Sequence, residues 1–447
     1  MPGSVKRKRP MKTSGPNVSR RKFLKGAALA SGSVMVVPSR VLGLDGAVPP
    51  SELIAVGTIG CGGMGSGDTN AVMNNKDTRV IGGADVDAKH LEAFKNKVDG
   101  HYKNTDCRGF KDFRELLAMP GLDAVIIATP DHWHAAAGVA ALKAGKDVYG
   151  EKPLARTVRE QQAIVKAVAD NKRIWQTGSQ QRSGDNFLKA AEIVRNGLIG
   201  KLKEVHVGLP GGHSGRGSME PGKAPEWLDY DFWCGPAELL PYVEGRTHWG
   251  WRWHYNTGGG QLLDWIGHHG DIAHWGMDAD STGPVEVKPI SADFPPADAI
   301  YNTATKYRAE AKYADGTVLT LSGGHDDIKG GTKWIGTDGW VWVDRGGFES
   351  SNPEFRKYRR LPEEMRKVKL YESKGHHRNW IECIRSRQPA ICTAETSHRS
   401  ATVGHLALIA LQVNRTLKWD PVKEEIIGDD DAAKRLGREY RGPWKLS

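Results

Sequence analysis

A glycine loop directly after an apolar segment restricts the start of this chain to one kind of supersecondary structure. Residues 53–59 are typical of a buried parallel strand, and Gly60-Cys61-Gly62-Gly63-Met64-Gly65 follows at once, before a helix-compatible stretch that reaches about residue 74. In such a unit Gly60 permits the tight turn, Gly62 lets a pyrophosphate approach the backbone, and Gly65 lets helix and strand pack closely. The free N–H groups of the helix N-terminus would favour the same anion. The pattern predicts a dinucleotide-binding unit.

An acidic residue stands at the expected distance beyond this loop. A second strand, predicted at 78–84, ends in Asp85, which is 20 residues past Gly65. A carboxylate there accepts hydrogen bonds from the adenosine ribose hydroxyls and repels a 2′-phosphate. The sequence therefore predicts NAD as the cofactor, with NADP disfavoured. The alternative interpretation is that Asp85 is a loop or helix-capping residue.

The alternation of strands and helices continues to about residue 150. Residues 123–128 indicate a third strand, Thr129-Pro130-Asp131 is typical of a helix start, and a short strand at 146–149 precedes Glu151-Lys152-Pro153. This alternation predicts a doubly wound parallel sheet, whose ligands lie beyond the carboxyl ends of the strands. Candidate cofactor contacts in these segments are Thr129, Pro130, His134, Glu151 and Lys152.

Later segments indicate a second kind of sheet. Residues 303–313, 317–322 and 339–344 alternate as strands, and Ala314-Asp315-Gly316 predicts a hairpin turn. The expected fold is α/β: a doubly wound Rossmann domain at 50–176, followed by an α+β domain at 177–447 that carries an open, largely antiparallel sheet. Residues 1–43 are expected to be a separate leader.

The stretch from Gly258 to Asp271 combines a glycine run with acidic and imidazole groups. If residues 261–276 form one helix, Asp264, His268 and Asp271 lie on one face at i, i+4 and i+7. An acid and an imidazole one turn apart can hydrogen-bond, and the carboxylate would stabilise the imidazolium. Such a pair can take a proton from a hydroxyl while hydride leaves the same carbon. The alternative is a buried polar network that only holds the helix in place.

These motifs resemble those of the Gfo/Idh/MocA oxidoreductases, from about residue 53 to about residue 420. The resemblance rests on the glycine loop, Asp85, the Thr129-Pro130 segment and Glu151-Lys152-Pro153. It implies that Lys152, Asp264 and His268 form the catalytic site, with His268 as acid or base, Asp264 tuning it and Lys152 orienting the reactive oxygen. It also implies assembly through the open sheet into a homodimer or homotetramer. Relatives often place a histidine from the segment at 374–380 near the substrate, which makes His377 a candidate, although a plain helix start is equally consistent.

Tryptophan is concentrated around this stretch, with seven of the 15 Trp between residues 227 and 275. Their apolar faces and polar edges suit a sugar ring, although about half of them are expected to be core. Trp249, Trp251 and Trp253 alternate along the chain, which predicts a strand with Arg252 and His254 on its other face. Arg252, His254 and Asp271 are therefore candidate substrate contacts.

His269 and His274 leave a metal alternative open, because together with Asp271 they could supply ligands. His268 and His269, however, point to different sides of a helix, and a nicotinamide carries hydride chemistry by itself. The sequence therefore predicts no metal.

The net charge of +10 is concentrated at the N-terminus. Residues 1–43 carry ten Lys or Arg and no acidic residue, so the remainder has 53 basic and 53 acidic residues. This balance argues against a nucleic-acid partner. Ser19-Arg20-Arg21-Lys22-Phe23-Leu24-Lys25 is a twin-arginine motif, and the apolar stretch after it is too short for a stable membrane span. It predicts export to the periplasm, the alternatives being a basic tail or an uncleaved anchor.

The five cysteines are odd in number and have no metal-like spacing, so they are expected to be free, mostly buried thiols. The combined prediction is an exported NAD-dependent oxidoreductase acting on a sugar, polyol or glycoside. Since free nicotinamide cofactor is scarce outside the cytoplasm, the cofactor would stay bound and be regenerated in place. One alternative is NAD-dependent cleavage of a glycoside by oxidation and elimination, which has no net redox change. Another is a sugar-binding protein without catalysis.

Overall fold

The computed structural model describes residues 49, 52–215 and 217–446, and the predicted leader at 1–43 lies outside these residues. The chain divides into two units, residues 1–52 and residues 53–447. All helices and strands given below belong to the second unit.

Six strands form a wholly parallel sheet in the order β3-β2-β1-β4-β5-β6. The strands are β1 (Ile54–Ile59), β2 (Thr78–Ala84), β3 (Arg108–Phe110), β4 (Ala124–Ile127), β5 (Asp147–Gly150) and β6 (Trp175–Thr177). The helices between them are α1 (Gly63–Met73), α2 (Ala88–Tyr102), α3 (Phe113–Leu117), α4 (Asp131–Lys143) and α5 (Val158–Asn171). Because the strand order reverses between β1 and β4, a crevice opens beyond their carboxyl ends.

The central strands form because they carry almost no polar side chains. All four residues of β4 are buried, as are five of the six in β1. Continuous apolar strands of this kind are stable only when helices cover both faces of the sheet. Helix starts are set by local polar groups: the Asp87 side chain accepts N–H bonds at the start of α2, and Thr157 does so for α5.

The second sheet has nine strands in the order β13-β12-β11-β7-β10-β9-β8-β14-β15. Among the described strand pairs of this second sheet, only β7–β10 is parallel. The strands are β7 (Leu202–Leu209), β8 (Glu286–Asp293), β9 (Lys306–Lys312), β10 (Val318–Gly323), β11 (Gly331–Gly336), β12 (Trp340–Asp344), β13 (Gly347–Ser350), β14 (Leu417–Asp420) and β15 (Glu425–Ile427). The predicted combination of a doubly wound parallel sheet and a largely antiparallel one is confirmed.

Seven further helices accompany this sheet among the described residues. They are α6 (Asp185–Arg195), α7 (Tyr230–Cys234), α8 (Gly260–Trp265), α9 (Asp271–Met277), α10 (His376–Ser386), α11 (Ala394–Val413) and α12 (Asp430–Lys434). Within the described part of the chain, no helix combines the length and apolar character needed to cross a membrane. All five cysteines are free and buried, as the sequence predicted.

Candidate active site

A cavity of about 570 Å³ lies beyond the carboxyl ends of the parallel strands. Residues 210–257, called the β7–α8 segment below, contribute Phe232, Trp233, Trp249 and Trp251 to its opposite wall. The predicted site residues that line the cavity are Gly60, Gly62, Gly63, Met64, Asp85, Thr129, Pro130, Glu151, Lys152, Arg252 and Asp264. The glycine loop, Lys152 and Asp264 therefore face one space.

The loop glycines divide into two kinds according to what a side chain would meet. Gly60 has φ +87°, and an added Cβ would lie 2.7 Å from Ala128 O, while a Cβ on Gly65 would lie 1.9 Å from Gly60 O. These two glycines are required by the packing of the loop itself. Among the described residues, a Cβ on Gly63 would meet no atom within 4 Å, and one on Gly62 would meet only the His90 ring, at 3.6 Å. The free space at Gly62 and Gly63 borders the cavity, as a close approach of phosphate requires.

The start of α1 offers the complementary electrostatics. No side chain of a described residue caps it, and its first turn carries no acidic residue. The N–H groups of an uncapped helix start attract an anion, reinforced by the helix dipole. The loop and this helix start therefore fit the pyrophosphate of a dinucleotide.

Asp85 is held at the end of β2 with its carboxylate in the cavity lining. Cys61 N–H donates to Asp85 Oδ2 (2.7 Å), and Asp87 N–H donates to Asp85 Oδ1 (2.9 Å). Burial raises the pKa of Asp85, although these two backbone hydrogen bonds oppose the shift. The carboxylate is thereby fixed in orientation, in the position expected for a ribose acceptor.

Lys152 and Asp264 form an ion pair at the edge of the cavity. Lys152 Nζ donates to Asp264 Oδ1 (2.9 Å) and to the Asp264 backbone oxygen (2.8 Å), and Arg252 Nε donates to Asp264 Oδ1 (3.2 Å). Burial acts to raise the pKa of Asp264, but the charges and hydrogen bonds of Lys152 and Arg252 outweigh it and lower that pKa. Asp264 is therefore a carboxylate that positions two cations.

His268 is not the hydrogen-bonding partner of Asp264, contrary to the sequence prediction. The predicted continuous helix is interrupted: α8 ends at Trp265, a π-helical turn covers Ile266–Gly270, and α9 starts at Asp271. A π turn hydrogen-bonds from i to i+5, so the i, i+4 relation between the two side chains is lost. His268 Nδ1 is buried without a partner among the described residues. Burial and then Lys152 lower the pKa of His268 well below its usual range, so the ring is neutral.

Besides Gly65 and His268, four predicted residues lie outside the cavity lining. Asp271 pairs with Arg182, His377 Nε2 lies 2.9 Å from Asp68 Oδ1, and His254 Nδ1 accepts Asn256 N–H at 3.2 Å. These three candidate substrate contacts are therefore engaged elsewhere in the fold. The ring nitrogens of His134 lie 2.7 Å from Pro153 O and 2.9 Å from Thr129 O, which links two cavity-lining loops.

The metal ligands considered from the sequence are separated. His274 Nε2 lies 2.6 Å from the Tyr313 hydroxyl, His269 Nε2 lies 3.4 Å from Asp344, and Asp271 contacts Arg182. Each side chain is committed to a different neighbour, so the three do not form a common site.

The predicted strand over Trp249–Trp253 is wrong. Residues His248–Trp253 form a 3₁₀ helix, and Gly250 is packed so tightly that a Cβ would lie 1.8 Å from Gly245 O. With three residues per turn, Trp249 and Arg252 lie on the same side, and both line the cavity. Trp253, by contrast, is core.

Asp131 is a cavity residue that sequence reasoning did not identify as functional. Its Oδ1 is buried without a hydrogen-bonding partner among the described residues, and the side chain lines the cavity. Burial and then the Asp264 charge raise the pKa of Asp131 to about 8. Its place as the first residue of α4, just beyond β4, is the sequence signal by which it could have been found.

The buried Arg182–Asp271 pair leads to a stability prediction. Both side chains are 1% exposed, and Arg182 Nε donates to Asp271 Oδ2 at 2.7 Å. We expect Asp271→Asn to lower the free energy of unfolding by about 3 kcal/mol, because a buried arginine loses its innermost counter-charge. Urea denaturation measures this. Asp280→Asn is the matched control. Asp280 binds the same arginine, but its side chain is 34% exposed, so this substitution should lower the free energy of unfolding clearly less. Equal losses in the two variants would contradict this account of Asp271.

Comparison with known proteins agrees with this layout. A family model described as "Oxidoreductase family, NAD-binding Rossmann fold" of the GFO/IDH/MocA group matches residues 54–179, and its "C-terminal alpha/beta domain" matches residues 187–446. An inositol 2-dehydrogenase of Rubrobacter xylanophilus is 30% identical over 180 residues, which is 40% of this chain and 48% of that protein. A glycosyl hydrolase family 109 protein of Shewanella pealeana is 29% identical over 204 residues, or 41% and 44%. The matches thus span less than half the length of these relatives.

Solved structures share the fold at low identity. The WlbA dehydrogenase from Bordetella pertussis, in complex with NADH and UDP-GlcNAcA, has a TM-score of 0.61 at 16% identity, over 82% of this chain and 99% of that one. The aldose-aldose oxidoreductase from Caulobacter crescentus, complexed with glycerol, has a TM-score of 0.58 at 18% identity, over 82% and 99%. At such identities the likeness concerns the fold alone.

Proposed function

Because the chain belongs to the GFO/IDH/MocA oxidoreductase family, we propose that it oxidises or reduces a sugar or polyol by hydride transfer with a bound nicotinamide dinucleotide. The observation that carries the proposal is the Lys152–Asp264 pair, which faces the same cavity as the glycine loop. Relatives named inositol 2-dehydrogenase support a polyhydroxylated substrate.

Lys152 is proposed to hold the reacting oxygen of the substrate. Two of its three N–H groups bind Asp264, and the cavity gives a substrate oxygen access to the third. The nicotinamide, when bound, would accept or donate the hydride. An ammonium at the hydroxyl oxygen stabilises the negative charge that develops there as the proton leaves.

Two neighbouring groups can exchange the substrate proton. Asp131 has a pKa raised to about 8 by burial, so at neutral pH its carboxyl carries a proton that it can donate. His268 is neutral and its Nδ1 has no partner among the described residues, but burial lowers its pKa and so makes it a weak proton acceptor. His268 adjoins Lys152, because the Cβ of Lys152 packs against the preceding residue, Gly267. His268 does not line the cavity. We therefore propose Asp131, which does line the cavity, as the group nearer to the substrate.

We further propose NAD as the preferred dinucleotide. Asp85 places a carboxylate in the cavity at the end of β2, where a ribose 2′-phosphate would meet negative charge. Asp85→Asn keeps an acceptor for the Cys61 N–H and removes the charge. We expect the preference for NAD over NADP to fall about tenfold or more, since hydrogen bonds to a charged group contribute about 1.5–3 kcal/mol.

Fluorescence titration of each dinucleotide measures this preference. Asp106→Ser, at a surface ion pair with Arg79, is the control and should leave both affinities unchanged. An unaltered NAD-to-NADP ratio in Asp85→Asn would refute the assignment of Asp85.

The proposed function is tested by native mass spectrometry of protein purified without added nucleotide, followed by identification of the molecules that denaturation releases. About one NAD(H) per chain is expected, and the same spectrum gives the number of subunits. Sugars, polyols and glycosides are then screened through the absorbance of the reduced nicotinamide. A protein that neither carries nor binds a dinucleotide would overturn the proposal and favour a sugar-binding protein.

The second candidate is glycoside cleavage with no net redox change. Similarity to a protein named glycosyl hydrolase family 109 favours including it. Release of a reducing sugar from a glycoside without accumulation of NADH would select this candidate over a dehydrogenase.

Export by the twin-arginine route, with a cofactor that is loaded beforehand and recycled in place, completes the proposal. It rests on the motif at residues 19–25. Slow loss of the dinucleotide during dialysis is expected, and rapid loss would count against recycling. Replacing Arg20 and Arg21 by lysine should keep the protein in the cytoplasm, as fractionation would show.

A further inference from the structure

Three side chains able to bind metals meet where the β7–α8 segment crosses the nucleotide-binding half. They are Asp87 at the start of α2, His90 in its first turn, and His248 in the β7–α8 segment. Their ligand atoms all lie within 4.8 Å of one another, and all three residues border the cavity. We propose that Asp87, His90 and His248 bind a divalent transition-metal ion of the zinc class that joins the β7–α8 segment to the nucleotide-binding half.

The spacing fits an ion better than it fits direct hydrogen bonds. Asp87 Oδ2 lies 3.5 Å from His90 Nδ1 and 3.5 Å from His248 Nε2. N–H···O bonds normally span about 2.7–3.2 Å. Ligand atoms at about 2.0–2.2 Å from a tetrahedral zinc ion are about 3.4 Å apart. The carboxylate oxygen is therefore placed as one corner of such a site with the two imidazole nitrogens as others.

The charges around Asp87 also favour a bound cation. The Asp87 side chain is 3% exposed, and among the described residues its ion-pair partners are the two histidines alone. Asp85 lies beside it, since Asp87 N–H donates to Asp85 Oδ1. A buried carboxylate with a second carboxylate beside it is stabilised by a nearby cation.

The ligands are held in place by contacts of their own. Asp87 Oδ1 accepts the N–H groups of Lys89 (2.8 Å) and His90 (3.1 Å), which leaves Oδ2 directed at the imidazoles. The His248 ring stacks on Trp227 with an interplanar angle of 12°. Its backbone has φ +45°, an uncommon conformation for a residue other than glycine.

The location gives the ion a structural role at the cavity. Backbone hydrogen bonds already join the two parts, from Ala88 N–H to Trp227 O (2.9 Å) and from Asp229 N–H to Val86 O (3.0 Å). An ion bound by His248 and Asp87 would stabilise the same contact, which lies next to Asp85. Slower release of the dinucleotide would follow, and this consequence rests on the proposed function, whereas the metal site does not.

The experiment uses untagged full-length protein freed of metal with a chelator and then titrated with Zn²⁺ by calorimetry and with Co²⁺ by visible absorption. We expect one ion per chain with a tetrahedral Co²⁺ spectrum. His248→Asn and Asp87→Asn should each weaken binding about tenfold or more and remove that spectrum. His101→Asn, an exposed position on α2, is the matched control and should bind as the wild type does.

The substitutions are chosen to preserve the fold. Asparagine tolerates the left-handed backbone at 248 and can still cap α2 at 87. Unfolding midpoints without metal should therefore match that of the wild type. Absence of saturable binding, or equal affinity in the wild type and both site variants, would overturn the proposal. A wild type that binds the ion but no dinucleotide would retain the metal site and refute the proposed function.

Discussion

Replacing Lys152 by methionine is expected to lower turnover by about 10²–10³-fold, the usual range for loss of a donor that stabilises developing negative charge. In the proposed mechanism the ammonium stabilises charge on the substrate oxygen. It donates hydrogen bonds to Asp264 Oδ1 (2.9 Å) and to the Asp264 backbone oxygen (2.8 Å). Methionine keeps the length of the side chain but has no N–H. Single-turnover reduction of the bound dinucleotide, with any sugar or polyol that the wild type oxidises, measures the effect.

The dinucleotide content of Lys152→Met should stay near that of the wild type, since the glycine loop is untouched. Lys143→Met, at the exposed end of α4, is the control and should turn over normally. Turnover within about threefold of the wild type would remove Lys152 from the mechanism. Loss of the dinucleotide together with activity would assign Lys152 to binding instead.

Gly65→Ala is expected to destabilise the nucleotide-binding half by about 3 kcal/mol or more, as overpacking against backbone does. The added Cβ would lie 1.9 Å from Gly60 O, so the loop must move away from its own carbonyl. That movement displaces the free N–H groups at the start of α1. We therefore expect dinucleotide affinity to fall at least about a hundredfold, a loss of roughly 2.7 kcal/mol.

Gly67→Ala provides the comparison on the same helix. Its Cβ would meet no atom of the described part of the chain within 4 Å, so only the backbone effect remains, and we expect about 0.5–1 kcal/mol of added stability. Urea unfolding and dinucleotide titration of the two variants separate close packing from helix propensity. Identical unfolding midpoints would show that the tight contact at Gly65 does not exist in solution.

The nucleotide-binding half was predictable because its signals are local. Gly60 and Gly65 are required by a turn that six consecutive residues define, and Asp85 follows from the length of one βαβ unit. Lys152 could be placed beside them because every parallel strand delivers its next residue to the same edge of the sheet. Apolar strands such as β4 could be read directly, since both of their faces are buried.

The substrate side of the site depended on tertiary structure. Helical spacing alone paired Asp264 with His268, but the π turn at Ile266–Gly270 changes the register. The carboxylate instead binds Lys152, which is 112 residues away in sequence, and Arg252 from the preceding 3₁₀ helix. The alternation of Trp249 to Trp253 resembled a strand, yet tight packing at Gly250 imposes a 3₁₀ turn. Neither the packing nor the charges are visible from spacing.

Burial accounts for the remaining differences between the predicted and the observed site. Asp271 and Arg182 are 89 residues apart and find each other only in the core, which removes Asp271 from the cavity. Asp131 acquires a raised pKa only because the fold closes around it beside Asp264. Sequence by itself therefore determined the fold class, the glycine loop and the edge of the sheet at which chemistry can occur, because these depend on local periodicity and strand direction. The tertiary structure alone decided which charged groups meet there, because desolvation and long-range pairing depend on contacts that no local pattern encodes.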